Sequence, residues 1–493
     1  WEGELFVAQR TMASVDLGAE SGRVMLARFD GQRLELQEVH RFPNRAIRVR
    51  GHRFWDMLAL WDETLTGLRK ARQLAGTLES VGIDTWGIDY GLVDVHGLLL
   101  GQPYQYRDQR TEGVMEQVCT RVPREQIYER TGIQFLSINT LFQLYAHERM
   151  HPGQLAQAHR LLMIPDLLHS WLCGELVCER TNASTTQCWN PVAGAWATEL
   201  LQMLDLPTEM LPPVVEPGTP LGRVLPEWRD ELGDVQVIAP ATHDTGSAIA
   251  AIPVASPDGW GYISSGTWSL VGVELSRPVI TAEALNDNYT NEGGVFGTTR
   301  FLKNVMGLWL LQECMRSWAK AGHPMDYETL LADVDSVPAF TALIDPDAPC
   351  FLAPPDMPTT INTYLSEHHQ PTLQTPATFA RCIMESLVLR YCQVLNRISR
   401  FTARPVTGVY VVGGGARNAR LNQWLADALG VPVIAGPFEA TALGNALMQL
   451  VGLGELHTLA EVRAVAQCVP TQVYEPDRTH FAAWQEKFAL LFP

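Results

Sequence analysis

The chain has 493 residues, 46% of them hydrophobic and 18% charged, with a formal net charge of −17 at pH 7. That length exceeds what one core sustains, so at least two domains are expected. The acidic balance disfavours nucleic acid and anionic membrane surfaces as partners, and no apolar run approaches the roughly 18 residues of a membrane span.

Nine scattered cysteines contain no C-x-x-C pair, which argues against a zinc ribbon or a redox dithiol and suits a reducing cytoplasm. The start, with Glu2 and Glu4, lacks the basic and apolar regions of a signal peptide. Met12, placed just ahead of a first strand expected from Ala13, is a candidate start of the natural chain.

In chain order, a strand from Ala13, a tight turn, a strand over Val24–Phe29, the pair Asp30-Gly31 and a further strand predict a β-meander. A helix is expected around 57–75, then a strand ending in the polar-aromatic run Gly82–Tyr90. A hairpin follows over Leu92–Leu99, and a mostly helical stretch over 111–175. Val235–Ala239 reads as a buried strand stopped by Pro240, followed by Thr242–Ser247 and a short helix.

The Pro- and Gly-bearing stretch 253–259 is the expected boundary, which divides the chain into domains 1–250 and 251–493. The second half restarts with a strand at Gly261–Ser264, and Lys303–Ala321 has a helical pattern. A long helix runs from Pro376, with Thr375 as its N-cap and Phe379, Ile383, Leu387, Tyr391, Val394, Leu395 and Ile398 at core spacing. It feeds a strand over Val409–Val412 and the turn Gly413–Gly415. Meanders mixed with helix–strand alternation predict an α/β protein of two related domains around a central cleft.

Several segments bear chemistry. Val15–Arg23 and Ser264–Trp268 look like one strand-to-turn corner used twice, and Val412–Asn418 is a third, glycine-rich corner. Such corners let backbone N–H groups approach phosphate oxygens. Asp16 precedes Leu-Gly in the first copy, whereas Ser264 stands in its place in the second. A carboxylate there can orient the waters of Mg²⁺, or can merely cap the turn.

Asp244 follows a strand and opens a helix, the place for a catalytic base kept ionised by the helix N-terminus, or for an ordinary N-cap. His243 reads as a positioning group beside it. Asp84, Trp86, Gly87, Asp89 and Tyr90 combine acceptors, an aromatic face and a bare backbone that suit a polyhydroxylated ligand. A buried turn with a core Trp is the alternative. Asn304 and Gln312 sit on the expected 303–321 helix. No Walker-type G-x-x-x-x-G-K-[ST] occurs, and His368-His369 reads as surface.

With these residues in place, the chain resembles the FGGY carbohydrate kinases of the actin-like (ribonuclease H-like) superfamily from about Ala13 to its end. The resemblance is carried by Asp84–Tyr90, His243–Thr245, Ser264–Leu270, Thr290–Gly294, Leu302–Gln312 and Glu439–Asn445. It implies that Ala19, Glu20, Ser21, Gly22, Arg23 and Thr267 contact ATP phosphates, and that Gln312 and Gly414 contact the nucleotide. Gly87, His243, Asp244, Thr245 and Asn304 would hold the sugar, with Asp244 as proton acceptor.

ATP and Mg²⁺ are the implied cofactors, with Asp16 reaching the metal through water. The implied reaction moves the γ-phosphoryl of ATP to the C1 hydroxyl of a ketose. L-Rhamnulose is the expected substrate and L-fuculose the alternative; a sugar or nucleotide sensor on the same fold is the non-enzyme reading. Many family members carry Lys where this chain has Gln143, which points away from the xylulose and glycerol kinases.

Overall fold

The computed structural model describes residues 9–254 and 258–491. The start bearing Glu2 and Glu4, and residues 255–257 of the expected boundary, lie outside the described residues. The chain packs as two compact units. The first comprises 1–255, Glu274–Phe301 and Glu439–Val469; the second comprises 256–273, Leu302–Phe438 and 470–493.

The first unit is built on a six-stranded sheet with the order Thr219–Arg223, Gln236–Ala239, Ser80–Thr85, Arg10–Leu17, Ser21–Phe29, Leu34–Pro43. The three strands Gln236–Ala239, Ser80–Thr85 and Arg10–Leu17 run parallel, and each outer pair is antiparallel. Central strands are buried almost end to end, as Val15, Ile83 and Val237 show; this is the pattern of a sheet covered on both faces. The edge strand Leu34–Pro43 instead exposes Glu35, Glu38 and Arg41, and charges there discourage edge-to-edge pairing.

The meander is therefore present, but its first strand begins at Arg10. Met12 lies inside that strand, fully buried, rather than ahead of it. The expected helix at 57–75 spans Met57–Ala75 with Asp56 as its side-chain cap. In the stretch read as mostly helical, Arg160–Met163 is a strand paired with Tyr90–Val93.

The second unit repeats this arrangement. The sheet has seven strands and runs Gln472–Tyr474, Val433–Ala435, Gly408–Val412, Trp260–Ser265, Trp268–Leu275, Thr299–Met306, Thr290–Gly293. The second to fourth of these strands are again parallel, and the first pair and the Trp260–Ser265 hairpin are antiparallel. The helix Pro376–Thr402 has a capping box between Thr375 and Thr378 and buries all seven apolar positions expected of it.

One expectation fails here. Asn304 is not helical: it lies in the strand Thr299–Met306, and the helix starts only at Trp309. Sheet pairing here overrides the local sequence pattern. Among the described residues no helix is long and apolar enough to cross a membrane.

Candidate active site

In the first unit, chemistry collects at the carboxyl ends of the parallel strands. Register places Asp16 beside Asp84, and Thr85 bridges to His243, with its N–H donating to Thr242 O at 2.9 Å. Asp16, Asp84 and Asp244 are close enough for their charges to act on one another.

Each carboxylate is held differently. Asp16 Oδ2 accepts from Arg23 Nε at 2.9 Å and Nη2 at 2.6 Å, and Arg23 Nη1 also pairs with Glu439. Burial opposes the charge on Arg23, but Asp16 and Glu439 outweigh it and hold the guanidinium protonated. Asp84 is fully buried and accepts from Asn445 Nδ2 at 2.6 Å. Burial, and then the charge of Asp16, push it well above the usual carboxylate range.

Asp244 is the first residue of the helix Asp244–Ala250, and His243 is the N-cap. Its Oδ1 accepts from Thr245 N at 2.5 Å and Thr245 Oγ1 at 3.1 Å. Its Oδ2 accepts no hydrogen bond among the described residues, and the side chain is 29% exposed. The expectation that the helix N-terminus keeps Asp244 ionised meets opposing influences. Burial, and then the Asp16 charge, push it up to about 7, and the Thr245 bonds only partly offset them.

The backbone beside Asp244 is fixed by a residue to which the sequence analysis assigns no role. Glu179, fully buried, accepts from Thr242 N at 2.8 Å and Thr242 Oγ1 at 2.9 Å, and from Thr181 N at 2.7 Å. Two further missed residues flank His243. Arg300 Nη2 lies 3.0 Å from His243 Nδ1 and 3.2 Å from Glu292 Oε2. Glu292 lies in the segment Thr290–Gly294 that carries the family resemblance but receives no role there, and nothing local marks Glu179 or Arg300, because each acts on a segment tens of residues away.

Gly87 lies in the turn after Ser80–Thr85, where the N–H of the next residue, Ile88, donates to Thr185 Oγ1 at 3.1 Å. The neighbouring cluster proves to be mostly core. Asp89 Oδ2 accepts from Trp55 Nε1 at 2.6 Å and Trp86 Nε1 at 3.1 Å, and Oδ1 accepts from Gln143 Nε2 at 2.9 Å. Burial raises Asp89 to about 6. Asp89 and the indole N–H of Trp86 are thus spent on the fold rather than on a ligand. Gln143 is itself pinned by Arg110 Nη2 at 2.6 Å.

Ala19 to Arg23 form the corner of the first central hairpin, with Gly18 N–H donating to Ser21 O at 2.9 Å.

The second unit brings Thr267, Gln312 and Gly414 to one strand end. Ser264 pairs in parallel with Val412. The turn at Gly266-Thr267 receives Leu308 N–H at 3.0 Å and Trp309 N–H at 3.2 Å, which seats it on the helix bearing Gln312. Gln312 Oε1 is buried without a hydrogen-bond partner among the described residues. A Cβ on Gly415 would fall 2.0 Å from Ser265 Oγ, whereas one on Gly414 would meet nothing within 4 Å. Gly414 therefore offers a bare, open backbone. Asn304 lies on the neighbouring strand Thr299–Met306.

A sheet of one topology built twice, with a corner at each central hairpin, is the actin-like (ribonuclease H-like) arrangement, and a carboxylate kept open beside it suits phosphoryl transfer. The chain belongs to the FGGY family of carbohydrate kinases: residues 11–250 match its N-terminal domain and 261–453 its C-terminal domain. As a carbohydrate kinase it draws its phosphoryl group from ATP.

Among curated relatives, a rhamnulokinase of Bacteroides thetaiotaomicron is 43% identical, covering 96% of this chain and 97% of the relative. A rhamnulokinase of Pectobacterium atrosepticum is 44% identical, covering 98% and 97%. Among solved structures, a gluconate kinase from Lactobacillus acidophilus superposes with a TM-score of 0.81 at 17% identity, covering 98% and 97% of the two chains. That similarity bears on the fold alone.

Proposed function

We propose that the protein phosphorylates L-rhamnulose at its C1 hydroxyl, giving L-rhamnulose 1-phosphate and ADP. The reading rests on the whole-length likeness to rhamnulokinases. The observation that carries its mechanism is Asp244: one oxygen is engaged by Thr245 and the other is open, and burial with the Asp16 charge raises the carboxyl to about 7. In the step, Oδ2 accepts the hydroxyl proton, the sugar oxygen bonds to the γ-phosphorus, and the bond to the β-bridging oxygen breaks with its electron pair leaving on ADP. The transition state is loose, so positioning and charge matter more than base strength.

In this reading residues 1–250 supply the sugar site and base, through Gly87, His243, Asp244, Thr245 and, from later in the chain, Asn304. Ala19 to Arg23, Thr267, Gln312 and Gly414 serve the nucleotide, so that 251–493 is chiefly nucleotide-binding. Mg²⁺ would neutralise phosphate charge when bound. Among the described residues no group of three His, Cys, Asp or Glu could hold a metal directly. Asp16, with Oδ2 already on Arg23, would therefore act through the ion's water shell. Nine cysteines without a disulfide fit work in a reducing cytoplasm.

The test is ADP release over a panel of ketoses and glycerol. L-Rhamnulose should give the highest kcat/KM, L-fuculose less, and glycerol negligible turnover. Buried polar groups that read hydroxyls discriminate by roughly 10⁴ or more, whereas the methyl end contributes only about 1–3 kcal/mol. A different best ketose would overturn the substrate and leave the kinase; no turnover with any sugar would favour a sensor.

A further inference from the structure

His243 is buried and lies against three charged groups: Arg300 Nη2 at 3.0 Å from Nδ1, Glu292 Oε2 at 3.4 Å from Nδ1, and Asp244 Oδ1 at 3.5 Å from Nε2. An arginine in a protein is always charged and can only donate. Its bond to Nδ1 therefore requires a lone pair on that nitrogen. A neutral imidazole has one N–H, so the hydrogen must sit on Nε2, the nitrogen that faces Asp244.

Arg300 itself cannot swing away. It is fully buried, its Nε donates to Gly293 O at 2.9 Å, and Glu292 balances its charge at 3.2 Å. Arg300 stands in the strand Thr299–Met306 and Glu292 in Thr290–Gly293, both in the first unit with His243.

We propose that Arg300, held by Glu292, is a positioning residue that fixes the Nε2–H tautomer of His243 and thereby dedicates Asp244 Oδ1 to hydrogen bonding and Oδ2 to the substrate proton. The inference rests on Asp244 being the base. With the donor at Nδ1 removed, nothing holds a lone pair on that nitrogen, which can carry the hydrogen and donate it in a hydrogen bond to a side-chain oxygen at position 292, whether of Glu or of Gln. Nε2 then turns a lone pair on Asp244 Oδ1, two acceptors face each other, and the carboxylate loses its fixed orientation. His243 would still fill its place, so sugar binding should suffer less than turnover.

The test uses full-length enzyme labelled with ¹⁵N in its histidine rings, the His243 signals being assigned by their loss in His243→Gln. In the wild type, Nε2 should show the shift of a protonated ring nitrogen and Nδ1 that of an unprotonated one; the reverse pattern overturns the proposal without any variant. Arg300→Met is then combined with Glu292→Gln so that no buried carboxylate is stranded. The pair should lose the wild-type ring pattern and lower kcat by about 10²-fold, with the ketose KM little changed.

Arg300→Lys, which keeps a cationic donor, should restore the pattern and most of kcat. A folded double variant with the wild-type pattern, or with unchanged kcat, overturns the proposal, as does a loss confined to KM. If Asp244→Asn proved fully active, the reading of the base would fall, while the ring pattern would still report on Arg300.

Discussion

Asp16 and Ser264 occupy the same place in two copies of one hairpin, each next to last in the central strand of its sheet. Asp16 faces Arg23 across the antiparallel pair and Asp84 across the parallel one; Ser264 faces Leu270 and Val412. The first corner is thus a knot of charge that extends to Glu439. The second is backbone and small side chains, closed by Gly266 N–H on Trp268 O at 2.8 Å. Duplicating a backbone reproduces the corner but not its chemistry, which depends on what stands across the two ladders. In the proposed reading the first corner would orient a cation's water and tune the base, and the second would present N–H groups and hydroxyls to phosphate.

The largest effect expected from this contrast lies with Asp244, the proposed base, in the first unit. Asp244→Asn should lower kcat by about 10²–10⁴-fold with little change in ketose affinity. Steady-state kinetics with isothermal binding would show otherwise if another carboxylate does the work. Asp16→Ser makes the first corner resemble the second, and activity at limiting Mg²⁺ should fall by roughly 10–100-fold, the usual cost of losing a group behind a metal's ligands. An equal rate at every Mg²⁺ concentration would mean the two corners are interchangeable.

The pH profile sharpens the same point. Burial and the Asp16 charge raise Asp244 to about 7, so its basic form is lost as pH falls through that value. The ketose kcat/KM should therefore rise across neutrality, and the limb should move to lower pH in Asp16→Ser. A limb that ignores Asp16 would uncouple the two carboxylates.

In the second corner, Gly415→Ala should cost about 1–3 kcal/mol in thermal or denaturant melts, because the new Cβ drives into Ser265. Gly414→Ala, with open space around it, should leave stability within about 0.5 kcal/mol and raise only the KM for ATP. Matching melts for the two would contradict the packing described.

The corners themselves were legible because a strand running into Gly, Ser and Thr leaves a local signature, and the duplication doubled it. The helix Pro376–Thr402 was legible through its cap and its spacing. Glu292 and Asn445 are marked only as members of family-like segments, without a role, and Arg300 and Glu179 not at all, because each touches the site from a strand or helix remote in sequence, and pairwise burial leaves no periodic trace. Asn304 was placed on the wrong element for a related reason: eight residues of sheet pairing are decided by neighbours, not by their own pattern. For Asp89 the sequence leaves a ligand site and a buried turn both open, because a polar-aromatic cluster looks the same whether its hydrogen bonds close on a sugar or on Trp55 and Gln143.

Within the first unit the helices Asp244–Ala250 and Ala440–Gly452 pack so closely that a Cβ on Gly444 would fall 1.8 Å from Ser247 O. The same second helix sends Asn445 to Asp84 and Gln449 to Ser80 and Ala13 O. The polypeptide up to residue 250 is therefore an unfinished object. Expressed as a fragment, it would carry Asp244 on a seven-residue helix with one side stripped, and Asp84 without its amide donor. A gene split near the middle should yield a first half that refolds only when the Glu439–Val469 segment is supplied, as a second peptide or by grafting it onto the fragment's end.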